Sequence, residues 1–314
     1  VKRLACFALV FSACATMPSR PSADARFDVI VLGGSGGLVE GDLTSVLVSR
    51  ADRTEYVALD LGTLYGGLQR ASLPAFPGSK WNDAGELLKH HLHGAFISHP
   101  HLDHVAGLVI GSPELTKLTA YGLGPTVEAL RTHAFGSALW ANFTDEGPGA
   151  IGRIHLSELT PGTPVSIEAA GLKVEAFPLS HAGVTSTAFL VESDDAALLY
   201  LGDTGPDAVE GQGRLAALWQ RVKPLVAAGR LRAIFLEASF PDPRDEKLLF
   251  GHLTPKWIMQ ELEALGPVTL VITHVKPSLE RGADARKTVK EQLQPLEQRG
   301  VRVIVPEGGQ RFGL

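Results

Sequence analysis

The sequence predicts an α/β domain in which two sheets are faced by helices, and three observations carry that reading. From Phe27 onward, apolar β-branched runs alternate with helical patterns. No repeat, linker or low-complexity tract interrupts the alternation. The chain has 314 residues, 45% of them hydrophobic and 20% charged, enough for a sizeable core within one unit over 27–314. The 34 glycines and 20 prolines predict many turns. A formal net charge of −5 gives no electrostatic reason for a nucleic-acid or anionic-membrane partner.

In chain order, residues 1–26 form a separate unit. Lys2 and Arg3 precede the apolar run "LACFALVFSA", and the polar "TMPSRPSADAR" follows. A charged start, a short apolar stretch and a cleavage zone predict an export signal, too short for a spanning helix, and hence a periplasmic or envelope protein. Two exits stay open: "FSAC" resembles a bacterial lipoprotein signal with Cys14 as the lipidated residue, whereas "ACA" at 13–15 suits ordinary cleavage. The first residue, Val1, fits a non-standard start codon or a truncation. Both cysteines, Cys6 and Cys14, lie here, so the body has neither disulfide nor thiolate and its metal ligands must be His, Asp or Glu.

The first strands are expected over 27–33, 43–50 and 56–62, joined by glycine-rich turns, and the next over 94–99. Between them "NDAGELLKHHLHG" predicts a helix with Asp83 as N-cap, Glu86 at the capping-box position and Gly94 as terminator. A longer helical pattern covers 125–141. Hairpins are expected over 165–181 and 187–203, the second turning at Ser193-Asp194-Asp195, and buried strands over 231–238 and 267–274. "LTPKWIMQELEALG" reads as a helix with Thr254 as N-cap, Pro255 at its first position and Gly266 as terminator. Residues 284–300 read as helical despite Pro295, and "VRVIVP" closes a sheet.

The chemistry is carried by where the polar residues fall. His99 ends "AFISH", His181 ends "VEAFPLSH", Asp203 ends "LLYLGD" and His274 ends "VTLVITH". In layered α/β folds the loops at the carboxyl ends of strands converge, so these four side chains should meet. With His101, Asp103 and His104 they make five imidazoles and two carboxylates. One zinc takes four or five such ligands, so seven residues suit two ions. Two metals about 3.5–4 Å apart clamp the attacking and leaving oxygens of a phosphoryl displacement and hold a hydroxide between them. Zinc suits the ligand types, and manganese or iron would also accept a His/Asp set.

Taken singly, 99–104 could be a polar loop, Asp203 a turn, and His181 and His274 structural; their joint placement at strand ends weighs against all of these. His90, His91 and His93 scatter around the last turn of a helix, where imidazoles favour its dipole, and read as structural. His133 and His155 have no partners in pattern. "GGSGG" at 33–37 mimics a nucleotide fingerprint, yet a strand-like run follows it rather than a helix. It reads as a tight turn that lets backbone approach the metal centre.

"HPHLDH" matches the HxHxDH core of the metallo-β-lactamase superfamily, and "HPHLDHVAGLVIGSP" resembles the signature of class II cyclic-nucleotide phosphodiesterases. The resemblance extends through "VLGGSGGLVEGDLTSVLV", "YLGDTG", "LEASFPDPRD", "GHLTP" and "THVKP". It implies a four-layer αββα sandwich (the metallo-β-lactamase fold) and hydrolysis of cAMP and/or cGMP to the 5′-monophosphate by a metal-bridging hydroxide at two Zn2+. By position, His99, His101 and His181 would hold one ion, Asp103, His104 and His274 the other, and Asp203 would bridge. His252 in "GHLTP" resembles the histidine of the HST motif in the related RNase Z enzymes, a proton donor to the leaving group, and Glu237 matches the acid that orients it. Asp103 is a further candidate for accepting a proton from the attacking water. The alternatives are another phosphodiesterase of the superfamily, RNase Z-like, and a zinc-binding envelope lipoprotein without activity.

Overall fold

Strand β1, Phe27–Gly33, shows how the chain is layered. All seven residues are buried, but they serve two cores: Val29 and Val31 face one, Ile30 and Leu32 the other. A strand covered on both faces loses the polar alternation of a surface strand, hence the continuous apolar runs in the sequence. The protein is described by a computed structural model over residues 24–263 and 265–314. The expected leader, with Lys2, Arg3, Cys6 and Cys14, falls outside the described residues apart from 24–26. Among the described residues, no helix is long and apolar enough to cross a membrane.

The first sheet contains β1, β2 (Ser45–Arg50), β3 (Tyr56–Leu61), β4 (Leu92–Phe96), β5 (Leu118–Gly122) and β6 (Ile154–Glu158). The second contains β7 (Val165–Ile167), β8 (Leu172–His181), β9 (Val184–Glu192), β10 (Ala197–Leu201), β11 (Leu231–Glu237), β12 (Thr269–Thr273) and β13 (Arg302–Ile304). The C-terminal β14 (Arg311–Gly313) returns to pair antiparallel with β1. In each sheet an antiparallel meander gives way to a parallel run: β3 through β6 in the first, β10 through β13 in the second.

Helices complete the outer layers. Over the first sheet lie α1 (Tyr65–Arg70), α2 (Asp83–Glu86), α3 (Leu102–Gly111) and α4 (Gly124–Ala129). Over the second lie α5 (Asp207–Glu210), α6 (Arg214–Ala227), α7 (Pro255–Glu261), α8 (Ala285–Gln292) and α9 (Gln294–Glu297). Helix α6 packs Leu215, Leu218, Val222 and Leu225 on the second sheet, spacings of three and four that keep one face inward. The middle core joins Phe96 and Val31 of one sheet to Phe189 and Phe235 of the other. This is the expected four-layer sandwich of two mixed sheets flanked by helices.

Several local expectations are corrected. The helix begins one residue early, with Asn82 as the cap accepting from Gly85 N–H. After Glu86 it widens into a π-turn over Leu87–His91, and Gly94 lies inside β4 rather than ending a helix. Glu86 accepts a hydrogen bond from Ser79 Oγ instead of closing a capping box. The pattern over 125–141 is helical only to Ala134, again through a π-turn. Pro295, which has no N–H to continue the ladder, divides the last helical segment into α8 and α9. Thr254 caps α7 by position, but its hydroxyl makes no cap bond.

A candidate metal centre where the two sheets meet

The carboxyl ends of β3, β4, β8, β10, β11 and β12 open on one side of the sandwich, and the predicted side chains collect there. His181 is the last residue of β8 and Glu237 of β11, while His274 directly follows β12. His99 and Asp203 lie slightly past their strands, since β4 stops at Phe96 and β10 at Leu201. His101 is the N-cap residue of α3, which puts Asp103 and His104 on its first turn. All seven expected ligands come together, and so do His252 and Glu237.

Asp203 is the hub. Its Oδ2 lies 3.2 Å from His274 Nε2, 3.7 Å from His252 Nδ1, 3.8 Å from His99 Nε2 and 3.9 Å from His181 Nε2. Its Oδ1 lies 3.3 Å from His104 Nε2. His101 Nδ1 stands 3.0 Å from His99 Nε2 and 3.3 Å from His181 Nε2. Asp103 Oδ2 approaches His274 Nε2 at 3.1 Å and accepts the Gly37 N–H at 3.0 Å. Two of the resulting groups, His99-His101-His181 and Asp103-His104-His274, have ligand atoms mutually within 4.8 Å, as does His99-His104-Asp203.

A second ring of acceptors holds the imidazoles. His181 Nδ1 bonds to Gly251 O at 2.8 Å, His252 Nδ1 to Glu237 Oε1 at 2.8 Å and His104 Nδ1 to Asp60 Oδ2 at 2.7 Å. Ser98 Oγ donates to Asp60 and so accepts from His99 Nδ1 at 3.0 Å. Ser239 Oγ donates to Glu237 and so accepts from His274 Nδ1 at 2.9 Å. With each Nδ1 proton committed outward, the Nε2 lone pairs of His99, His104, His181 and His274 face inward. Lone pairs so close repel unless a cation lies among them. His104 Nε2 is the sharpest sign, fully buried and without a hydrogen-bond partner. The donor set therefore fits divalent metal: nitrogen and oxygen only, with the tautomers fixed from behind.

The electrostatics agree. Burial lowers the pKa of His99 and adjacent imidazoles lower it further, while burial also depresses His101 and His181, keeping them in the neutral form that can ligate. Burial would raise Asp203, but His274, His104 and His252 hold it well below the carboxylate range. His104 goes the other way: burial opposes its charge, and Asp203 with Asp60 overcome that. A cation at Nε2 answers the same field. His252 is likewise raised against burial by Glu237 and Asp203.

Several contributors went unrecognised in the sequence. Asp60, buried at the end of β3 with φ of 54°, accepts from Ser98 N, Ser98 Oγ, His104 Nδ1 and Tyr200 OH, each at 2.7 Å. Its signal was a carboxylate inside the apolar run "YVALDLG". Ser239 and Thr204 donate three hydrogen bonds to Glu237, which with His252 accepts four. The "GGSGG" turn behaves as expected: a Cβ on Gly36 would stand 2.3 Å from the His274 ring. His91 and His93 are structural, but through Glu55 rather than a helix dipole. His155 pairs with Asp145 far from the cluster.

Beside Asp103 opens a groove of about 1070 Å³ that runs along α3 past Leu102, Ala106, Ile110, Tyr65 and Trp81. Leu102 and Ile110 are 70% and 67% exposed, an unusual apolar stripe to leave beside a polar site.

Comparison with known proteins places this geometry. The family described as cAMP phosphodiesterases class-II matches residues 79–309. A 3′,5′-cyclic-nucleotide phosphodiesterase of Aliivibrio fischeri is 35% identical over 318 residues, covering 96% of this chain and 96% of the relative. The crystal structure of unliganded yeast PDE1 superposes with a TM-score of 0.78 at 23% identity, over 92% of this chain and 100% of that one. The metallo-β-lactamase fold protein YhfI of Bacillus subtilis gives a TM-score of 0.64 at 14% identity, over 91% and 98%.

Proposed function

The chain belongs to the class-II cAMP phosphodiesterases, and from that premise we propose that it hydrolyses 3′,5′-cyclic nucleotides, cAMP and/or cGMP, to nucleoside 5′-monophosphates at a site of two zinc ions. The observation that carries the metal part is the ring of inward Nε2 lone pairs around Asp203, with His104 Nε2 buried, 3.3 Å from Asp203 Oδ1 and without a hydrogen bond. His99, His101 and His181 would hold one ion, Asp103, His104 and His274 the other, with Asp203 between them. Such ions would neutralise the phosphate charge and make water a nucleophile near neutral pH.

The protein's own residues account for the rest. Hydrolysis adds a water oxygen to phosphorus and breaks the bond to O3′, whose alkoxide leaves poorly unless protonated. His252 suits that donation: Nδ1 is tied to Glu237, leaving Nε2 to carry the transferable proton, and the two nearby carboxylates favour its charged form. Glu237 is a positioning residue, spending both oxygens on His252, Ser239 and Thr204. Asp103, already engaged by Gly37 N–H and His274, orients and holds. The apolar start of the groove at Leu102 offers a surface for the nucleoside while the phosphate reaches the cluster. An envelope location, with lipidation at Cys14 or simple cleavage, is part of the same proposal and rests on the sequence of 1–26.

The test is product identity. Zinc-loaded protein incubated with cAMP should release 5′-AMP, with metal bound near two per chain. Release of 3′-AMP, or turnover of bis(p-nitrophenyl) phosphate but of neither cyclic nucleotide, would instead favour a different phosphodiesterase.

A further inference from the structure

Lys276 stands two residues beyond His274, and its backbone is fixed from two sides. Its N–H donates to Ser239 O at 3.1 Å, and the preceding Val275 exchanges hydrogen bonds with Gly34 and Gly36 of the glycine turn, at 3.3 and 3.4 Å. The side chain thus rises from a short rigid stem beside the cluster. Its Nζ lies 3.9 Å from where a Cβ on Gly37 would stand, and Gly37 N–H is bonded to Asp103. On the other side it sits 6.0 Å from the Phe240 ring, whose edge meets His252 at 5.8 Å. Arg244 covers the same ring at 4.0 Å.

Lys276 is partly buried, and among the described residues its ammonium has no carboxylate within ion-pair distance. Among these residues the ammonium makes no hydrogen bond or ion pair, and Asp103, reached through Gly37, is already committed to Gly37 N–H and His274. The ammonium is close enough for its charge to depress the proton affinity of His252. A positioned cation without an anionic partner beside the cluster leaves its charge available to an incoming anion. The anion that must come here is a phosphate ester.

We infer that Lys276 binds the non-bridging oxygens of the cyclic phosphate, a substrate contact supplied by the chain alone and separate from the metal ligands. This inference rests on the phosphodiesterase reading above. Between Gly37 and Phe240 the ammonium faces the same space as His252, so it holds the phosphate while the donor faces the leaving oxygen. The contact is a charge-assisted hydrogen bond.

Lys276→Gln, Lys276→Arg and the parent chain, all zinc-loaded, test it. Lys276→Gln should lose about 10- to 100-fold in kcat/KM for cAMP, mainly through KM, and 5′-AMP should inhibit it more weakly by a similar factor. Lys276→Arg, keeping the charge, should recover most of both, and the salt dependence of KM should flatten only in the Gln variant. Metal content and melting temperature should stay at the parent level in both. A Gln variant with parental KM and parental 5′-AMP inhibition would overturn the inference. So would equal losses in both variants with reduced metal or melting temperature, which mark a structural role. A parent chain that makes no 5′-AMP overturns the reading beneath it, and that is seen before any variant is measured.

Discussion

The Asp60 carboxylate accepts His104 Nδ1 at 2.7 Å, with both side chains sealed from solvent. Asp60 also takes both Ser98 donors, and Ser98 in turn orients His99. One residue outside the metal set therefore aims an imidazole in each expected ion's shell. Asp60→Asn should weaken metal affinity about 10- to 100-fold. Titrating apoprotein with zinc against a competing chelator checks this, and parental affinity would reduce Asp60 to a packing element.

Glu237 touches no expected substrate atom, yet it holds His252 Nδ1 at 2.8 Å. Glu237→Gln should lower kcat about 10²- to 10³-fold while KM and metal content hold, because the proton donor loses both its anchor and the charge that favours its cation. The alkaline limb of the kcat profile identifies the cause: it should move to lower pH in Glu237→Gln as His252 loses the charge that favours its protonated form, and a uniform loss at every pH would argue for simple misfolding.

Gly36 is confined by the His274 ring, which a methyl group would meet at 2.3 Å. Gly36→Ala must push that ring from Asp203 and Asp103. The expected outcome is loss of about one metal per chain and destabilisation of about 1–3 kcal/mol. Metal analysis and urea unfolding measure the two effects separately.

Glu261 is half-buried under α6, accepting from Trp219 Nε1 at 3.0 Å and Asp207 N–H at 3.3 Å. Burial raises its pKa despite those bonds. A raised carboxyl pKa favours the folded state most below the ordinary glutamate value of about 4.3, and that support is lost as pH rises through the folded value. Glu261→Gln should therefore gain stability relative to the parent as pH increases from about 4 to 8. A difference in melting temperature that is flat, or that narrows with pH, would contradict this.

The ligand set was legible because metal binding demands side chains that strands seldom end on, and because strand ends converge. Asp60 stayed hidden for the opposite reason: a lone acid in an apolar run looks like an irregularity until its four donors are seen. Helix α3 was concealed behind its own motif, since the polar cluster of His101, Asp103 and His104 drew the eye from Val105, Leu108 and Val109 buried beneath it. The overextended helices at 82–94 and 125–141 both stop early after a π-turn: the first gives way at once to β4, where sheet pairing overrides local propensity, and the second to a run of bends from Phe135. Strand β14 is too short to announce itself; it pairs with β1 over three residues, and Arg311 reaches Asp28 at 2.8 Å.

Residues 99–104 reach the cluster from the first sheet, whereas His181, Asp203, Glu237, His252 and His274 reach it from the second. Neither half carries a complete set, so the centre exists only at their seam and reports on its own assembly. A chain cut within 159–164, between β6 and β7, would yield two fragments that are each chemically inert. Their mixture should regain turnover in proportion to the pair re-formed, which makes the reaction rate a direct gauge of how tightly the two halves embrace.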